Sequence, residues 1–335
     1  MAKKTRHATI YDVAALAGVS IGTVSRALNA PARVAEGTRA RVLDAVKELD
    51  FVPKEVATSR ARRGTRRIGV FAPFSSYPSF GERLNGVLGV AGEGGPEVVV
   101  FDVESAEKSA VVLEALPALR SLDGLIVMSV PFGDRVFTAM QRARLPVVLV
   151  DLVGHGLPSV MADDEMGGQI AANTLLERGA SRLAFIGHRQ LQPQLELSAG
   201  RRRRGFADAA AAAGVPLRDA DVILVGGDFE EAHRASVDLL AAEDRPDGVF
   251  AHTDEHAAAV YMAAEQLGLR VPDDVAVIGY DDSLIARALG LTSVRQPLRE
   301  TGEWAASALL KAIAAPGSMV PSLTLPVTLT RRRSA

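Results

Sequence analysis

Apolar and polar positions follow two different periods along this chain, and the change from one to the other divides it. Over residues 9–50 apolar residues recur at helical spacing, which predicts short helices at 10–17, 21–29 and 38–50. The last of these carries Val42, Leu43, Val46 and Leu49 on one stripe. Residues 51–67 break the pattern, because Arg and Thr dominate and apolar content is low, as in a linker. From Ile68 onward, short β-rich runs alternate with Ala-rich stretches of helical composition. The runs fall at 68–72, 98–101, 124–128, 147–150, 183–187, 222–225, 248–251 and 275–279. Alternation of this kind predicts βαβ units and a parallel sheet covered on both faces. About nine strands are generous for one sheet, so two similar lobes are expected.

Within the helical segment, Val13, Leu16 and Ala17 are expected to form one helix's apolar stripe, and Val24 and Leu28 the next one's. Gly18 permits a tight turn between them, and Ser20 suits the N-cap of the second helix. Ile21, Gly22, Ser25 and Arg26 are then left near that helix's exposed N-terminal half. In a helix-turn-helix this is the part that enters the major groove.

Charge sharpens the division. Residues 1–67 hold 14 Lys/Arg against 6 Asp/Glu, and the remainder 24 against 34, a net +8 beside a net −10. A basic arm on an acidic body fits a phosphate-bearing partner. Nearly half the residues are apolar, enough for a large core, and no apolar stretch approaches the length of a bilayer span. The N-terminus shows no signal-peptide pattern, and the absence of Cys excludes disulfides and thiol chemistry. A cytoplasmic protein without membrane contact is the expectation.

The run 9–29, with its Tyr-Asp-Val-Ala start, Gly-Val-Ser turn and Thr-Val-Ser-Arg second helix, resembles the headpiece of the lactose-repressor family. The resemblance extends over nearly the whole chain, from Thr9 to about Thr330. It passes through Ile68-Gly69-Val70, Tyr77-Pro78-Ser79-Phe80, Ser198 to Phe206, His252-Thr253-Asp254, Gly279-Tyr280-Asp281-Asp282 and Arg295-Gln296-Pro297. It implies an all-α helix-turn-helix headpiece followed by an α/β periplasmic-binding-protein-like sensor of two doubly wound lobes, with three hinge crossings and a ligand cleft between them. The implied boundaries are headpiece 1–52, linker 53–67, first lobe 68–162 with 293–322, second lobe 163–292 with 323–330, and a tail at 331–335.

By the same resemblance Ile21, Gly22 and Arg26 read bases, while Thr9, Tyr11, Ser20, Thr23, Ser25 and Asn29 contact phosphates or orient the readers. Arg33, Thr38, Val56, Ala57, Ser59 and Arg60 complete the implied DNA-facing set. Arg26 suits bidentate recognition of guanine. Two positions depart from the family pattern. Ala35 stands where a Ser or Thr usually caps the third helix, and losing such a cap costs about 1 kcal/mol. Arg60 stands where the linker leucine that wedges between central base pairs belongs, and an arginine suits a narrow minor groove instead.

On the sensor side the resemblance points to Phe74, Ser75, Ser79, Phe80, Arg202, Asp254, Asp281 and Gln296 as effector-binding positions. Arg202 matches the family's effector arginine, and Asp281 suits ligand hydroxyls. Asp254 either bonds the ligand or caps a helix, and Phe74 and Phe80 either stack on a ring or fill the core. Arg201 to Arg204 cannot all face one cleft, so most belong to a solvated face. A carboxylate, an arginine and an aromatic suit a sugar, though arginine alone would suit a carboxylate or phosphate equally.

No phosphate loop, dinucleotide fingerprint or nucleophile elbow occurs. His252 and His256 are spaced like a metal pair, but the Glu of a metalloprotease motif is misplaced, so neither a metal, another cofactor nor catalysis is expected. The expected partners are a palindromic double-stranded DNA operator, a small-molecule effector of carbohydrate type, and a second copy of the chain. One headpiece reads too few base pairs alone, which calls for a homodimer. No leucine heptad follows Thr330 to build a tetramer.

Overall fold

The computed structural model describes residues 9–29, 34–49, 51, 66–75, 77–103, 113, 121–189, 197–226 and 229–335. Three helices open the chain, α1 (Ile10–Ala17), α2 (Ile21–Asn29) and α3 (Glu36–Glu48). They close on a small core of Val13, Ala14, Ala17, Val24, Leu28, Val42, Val46 and Phe51. Thr9 starts α1 through a capping box, in which Asp12 Oδ2 accepts from the Thr9 backbone N–H at 2.7 Å. Gly18 ends α1 at φ 64°, the left-handed turn for which its lack of Cβ is needed. Ser20 Oγ accepts from the Thr23 N–H at 3.1 Å and starts α2. Ala35 supplies no side-chain cap to α3, which begins and ends two residues earlier than its apolar spacing suggests.

One residue of the expected stripe is misplaced. The buried face of α1 is Val13, Ala14 and Ala17, whereas Leu16 is 47% exposed. At 100° per residue, Leu16 falls off the edge of an arc centred between Val13, Ala17 and Ala14.

The body holds two six-stranded sheets. In chain order its elements are β1 (Arg67–Ala72), α4 (Ser79–Ala91), β2 (Glu97–Asp102), β3 (Gly124–Met128), α5 (Asp134–Arg142), β4 (Val147–Val150) and β5 (Ser159–Ala162). Then come α6 (Asp164–Glu177), β6 (Leu183–His188), α7 (Ser198–Ala212), β7 (Val222–Val225), α8 (Phe229–Ala241), β8 (Gly248–Ala251), α9 (Asp254–Gln266) and β9 (Ala276–Tyr280). The last are α10 (Leu284–Leu289), β10 (Thr292–Arg295), α11 (Leu298–Ala314), β11 (Leu323–Leu325) and β12 (Thr328–Thr330). The first sheet runs β11-β5-β4-β3-β1-β2 and the second β12-β10-β9-β8-β6-β7. Among the described residues every pairing is parallel except β10 with β12.

The chain passes between the sheets near 163, 296–297 and 326–327. Two expected boundaries shift accordingly. Thr292–Arg295 pairs with β9 and β12 in the second sheet, so the crossing comes after Arg295 rather than before Ser293. Leu323–Leu325 adds to the first sheet beside β5, so the last crossing follows Leu325. Nor is 331–335 a loose tail: Ser334 is fully buried, donating to the Val277 carbonyl at 2.6 Å and accepting from the Thr292 N–H at 2.8 Å. Short three- and four-residue strands at the sheet edges carry too few positions for period-two alternation to register.

In each lobe, two helices approach so closely that only glycine fits. A Cβ on Gly302 of α11 would stand 1.9 Å from the Arg83 carbonyl of α4, and one on Gly86 would stand 2.1 Å from the Arg299 carbonyl. In the second lobe, a Cβ on Gly168 of α6 would stand 2.0 Å from the Arg202 carbonyl of α7, and one on Gly205 2.0 Å from Glu165. Among the described residues no helix is long and apolar enough to cross a membrane.

Candidate functional site

Two surfaces gather the candidate residues. On the helical domain, Tyr11, Ile21, Gly22 and Arg26 are exposed around the start of α2, with Thr23 and Ser25 half-buried beside them. Arg26 Nε donates to the Gly22 carbonyl at 3.1 Å, which holds the guanidinium against this end of the helix. Thr9 and Ser20 spend hydroxyl contacts on their own helix starts. Thr38 lies in the first turn of α3. Arg33, Val56, Ala57, Ser59 and Arg60 lie outside the described residues, as does the side chain of Asn29.

The second surface is a cavity of about 190 Å³ between the two sheets. Its walls include Ser79, Phe80, Arg202, Asp281 and Gln296 of the eight expected positions. The other three are engaged elsewhere. Phe74 packs on the first-lobe core and meets Phe80 edge-on at 6.3 Å. Ser75 donates its backbone N–H to Asp102. Asp254 is buried at the start of α9, where it accepts from Ser293 Oγ and the Ser283 N–H, both at 2.7 Å. Of the two roles left open for it, the helix cap falls to Thr253, whose hydroxyl accepts from the His256 N–H; Asp254 instead holds Ser283 and Ser293, and burial raises its pKa.

The cavity also takes residues not expected at the effector site: Tyr77, Ser198, His252 and Thr253, which stand in the quoted motifs, and Arg83, Ser129, Asp151 and His188, which do not. A common signal marks two of them together with the expected Asp281. Ser129, Asp151 and Asp281 each follow directly on a strand, β3, β4 and β9, and each takes a positive φ (53°, 60° and 110°). Non-glycine residues held in that region accumulate where function over-determines the backbone. Carboxyl ends of parallel strands are where α/β folds place ligands.

Each cleft arginine is paired. Arg83 donates to Asp151 at 2.7 Å and to Gln296 Oε1 at 3.2 Å, and Ser129 Oγ adds a bond to the Asp151 carboxylate. Arg202 donates to Asp164 at 2.8 Å and to the His252 carbonyl at 2.6 Å, with its guanidinium 3.5 Å from the centre of the Tyr280 ring. Burial works against the Arg202 charge, yet the Asp164 carboxylate beside it prevails and the pKa rises. Arg201 shares Asp164 and Arg204 pairs with Glu165, so Arg202 is the one member of the run that enters the cleft. Gln296 donates to Asp281, whose pKa burial pushes up despite nearby Arg202.

Two histidines, His188 and His252, form part of the second-lobe wall, and His256 lies behind them. His252 and His256 meet edge-on at 4.5 Å, and His188 stacks 6.4 Å from His252. Burial lowers the pKa of all three, His256 to about 4, so they are neutral at pH 7. Among the described residues no group of three ligating side chains could hold a metal ion. Across the cleft, Tyr77 Oη lies 3.1 Å from His188 Nδ1 and joins the two lobes.

Known proteins share this succession of domains. The profile of bacterial regulatory proteins of the lacI family matches residues 9–54, and that of the periplasmic binding protein-like domain matches residues 172–335. The HTH-type transcriptional repressor PurR of Erwinia tasmaniensis is 35% identical over 336 residues, covering 98% of this chain and 96% of its own. Among solved structures, a complex of the regulator CelR with cellobiose superposes with a TM-score of 0.71 at 30% identity, over 98% of this chain and 100% of that one. The lac repressor dimer bound to operator and the anti-inducer ONPF gives 0.70 at 25% identity, over 98% and 99%. With a lacI-type headpiece, a two-sheet binding-protein body and a repressor relative matching end to end, this chain belongs to the LacI family of transcriptional regulators.

Proposed function

We propose that this chain represses transcription as a homodimer on a palindromic operator, and that a neutral, hydroxyl-rich small molecule in the cleft controls its grip. The observation that carries the effector class is the pairing of charges in the cavity wall. Arg83 and Arg202 are the cavity's cations among the described residues; Asp151 pairs with the first, and Asp164, which Arg201 shares, pairs with the second. A phosphate or carboxylate would have to compete with those partners in a buried site. Hydroxyl groups, which donate to Asp281 and Asp151 and accept from Arg, Gln296 and Ser side chains, meet no such opposition. The cellobiose held by the CelR structure supports the carbohydrate reading.

On the DNA side, the reading places Ile21, Gly22 and Arg26 in the major groove, with Arg60 taking the minor-groove role that a leucine has in relatives. The two lobes move relative to one another on ligand binding and alter the spacing of the paired linkers. The test is selection of a palindromic duplex from a random library, followed by anisotropy titration at fixed salt with and without a sugar panel. A response to neutral sugars supports the reading. A response confined to sugar phosphates or acids would sink the effector class, and absence of sequence-specific binding would sink the repressor reading.

A further inference from the structure

The body begins on a residue in a strained conformation. Arg66, the first described residue after the linker, has φ 53°, a left-handed region that residues other than Gly, Asn and Asp seldom enter. Three contacts hold it there. Its backbone N–H donates to Asp123 Oδ2 at 2.7 Å, and its carbonyl accepts from the Glu97 N–H at 2.6 Å. Its guanidinium donates to the Gly94 carbonyl, with the Gly95 carbonyl at 3.4 Å, in the turn that follows α4. Arg67 then opens β1, pairs with Glu97 at 2.9 Å and accepts at its carbonyl from the Asp123 N–H at 2.8 Å. The last two residues of the expected linker are therefore fixed to three segments: the turn after α4, the start of β2 and the residue before β3.

Of the Arg66 contacts, only the carbonyl bond continues the ladder with β2, whose register starts at Arg67. The N–H and guanidinium bonds lie outside the sheet, and the residue is exposed, so they bury little apolar surface. Backbone strain of this kind persists only where the surroundings over-determine it. What the contacts fix here is direction, because a left-handed residue turns the chain sharply just before it enters the sheet.

Direction matters for a two-fold dimer. The distance between its headpieces depends on where each linker leaves its body. One inserted base pair moves two half-sites apart by about 3.4 Å and turns one by about 35°. An exit free to swing by that much would accept either operator.

Building on the operator-binding reading above, we infer that Arg66 is a positioning residue: its clamp on Asp123 and on the turn after α4 fixes the linker's exit, and with it the half-site spacing that the dimer accepts. The clamp also ties that exit to α4, whose Ser79, Phe80 and Arg83 line the effector cavity.

The test is selection by the full chain from palindromic duplexes whose half-sites are separated by a variable number of base pairs. The unaltered protein is expected to prefer one separation by at least about tenfold. Arg66→Asn and Arg66→Gly accept a positive φ and lack the guanidinium, so neither threatens the fold. Both should cut the preference to about threefold or less, with base preferences inside each half-site and affinity for random duplex unchanged. Arg66→Lys, which keeps a donor of similar reach, should retain most of it. An unaltered protein that takes all separations alike, or a preference unchanged in Arg66→Asn, overturns the inference and leaves the operator reading standing. So does an equal loss of affinity at every separation with a flatter salt dependence, which would make Arg66 a phosphate contact. A lowered melt with the preference intact would make the clamp structural alone. An unaltered protein without sequence-specific binding overturns both readings.

Discussion

Gly168→Ala should damage the effector cleft without touching it. The added Cβ would start 2.0 Å from the Arg202 carbonyl oxygen and 2.7 Å from the Phe206 nitrogen, both backbone atoms that cannot rotate away. Reaching an ordinary contact of 3.4 Å requires α6 and α7 to part by about 1.4 Å. Asp164 lies at the start of α6 and Arg202 on α7, so the same separation stretches their 2.8 Å bond beyond hydrogen-bond range. Overpacking alone costs about 1–3 kcal/mol, and weakening a buried ion pair adds to it. A loss of roughly 3 kcal/mol lowers the melting temperature by about 5–10 °C for a body of this size. Differential scanning calorimetry reads the loss, and sugar titration reads the cleft. Gly133→Ala is the control, since a Cβ there meets nothing within 4 Å. A Gly168→Ala protein that melts within a degree of the parent would refute the argument, because the helices would then have room that the geometry denies them.

Other consequences follow from single residues. His256 takes up a proton near pH 4 when folded but near 6.5 when unfolded, so stability present above pH 6.5 is lost as pH falls through that window. In His256→Gln, the stability lost between pH 7 and pH 5 should shrink by about 2 kcal/mol, measured by urea melts at both values; an unchanged difference would count against the burial argument. Arg26→Ala should weaken binding to the selected operator by about 1–3 kcal/mol and relax preference at one base pair per half-site, with non-specific duplex affinity nearly unaffected. A uniform loss across all sequences would instead make Arg26 a phosphate contact. Removing residues 332–335 deletes the Ser334 bonds to Val277 and Thr292 and the Arg332–Asp282 ion pair at 2.5 Å. The truncated chain should melt several degrees lower, and an unaltered melt would show the segment to be dispensable.

The order of elements was legible wherever long-range periodicity or turn chemistry carries information. The spans of α1 and α2 and the strands at 124–128, 147–150, 222–225 and 248–251 follow from pattern alone. Edge strands β11 and β12, three residues each, carry too little pattern to be seen, and their assignment to opposite sheets depends on tertiary pairing. The cleft shows the same division. Arg202 and Asp281 stand beside recognisable Gly-Phe and Gly-Tyr pairs, but Arg83 and Asp151 face one another across 68 residues; the strand end before Asp151 is its local mark, and Arg83 has none. Asp254 and Phe74, each left with two readings, lie off the cavity wall because Ser283 and Ser293 engage the one and the first-lobe core the other.

Gln296 has a place that no other cleft residue shares. It lies within one of the three crossings between the lobes, accepting from Arg83 of the first and donating to Asp281 of the second. Three covalent connections prevent the lobes from drifting apart and leave twisting as the soft motion, with its axis running through the crossings themselves. A ligand that competes for either bond of Gln296 therefore acts at the pivot, where a small change in dihedral angle becomes a long arc at the lobe surfaces. Recognition and torque would be one event, with no relay of intermediate residues needed between them.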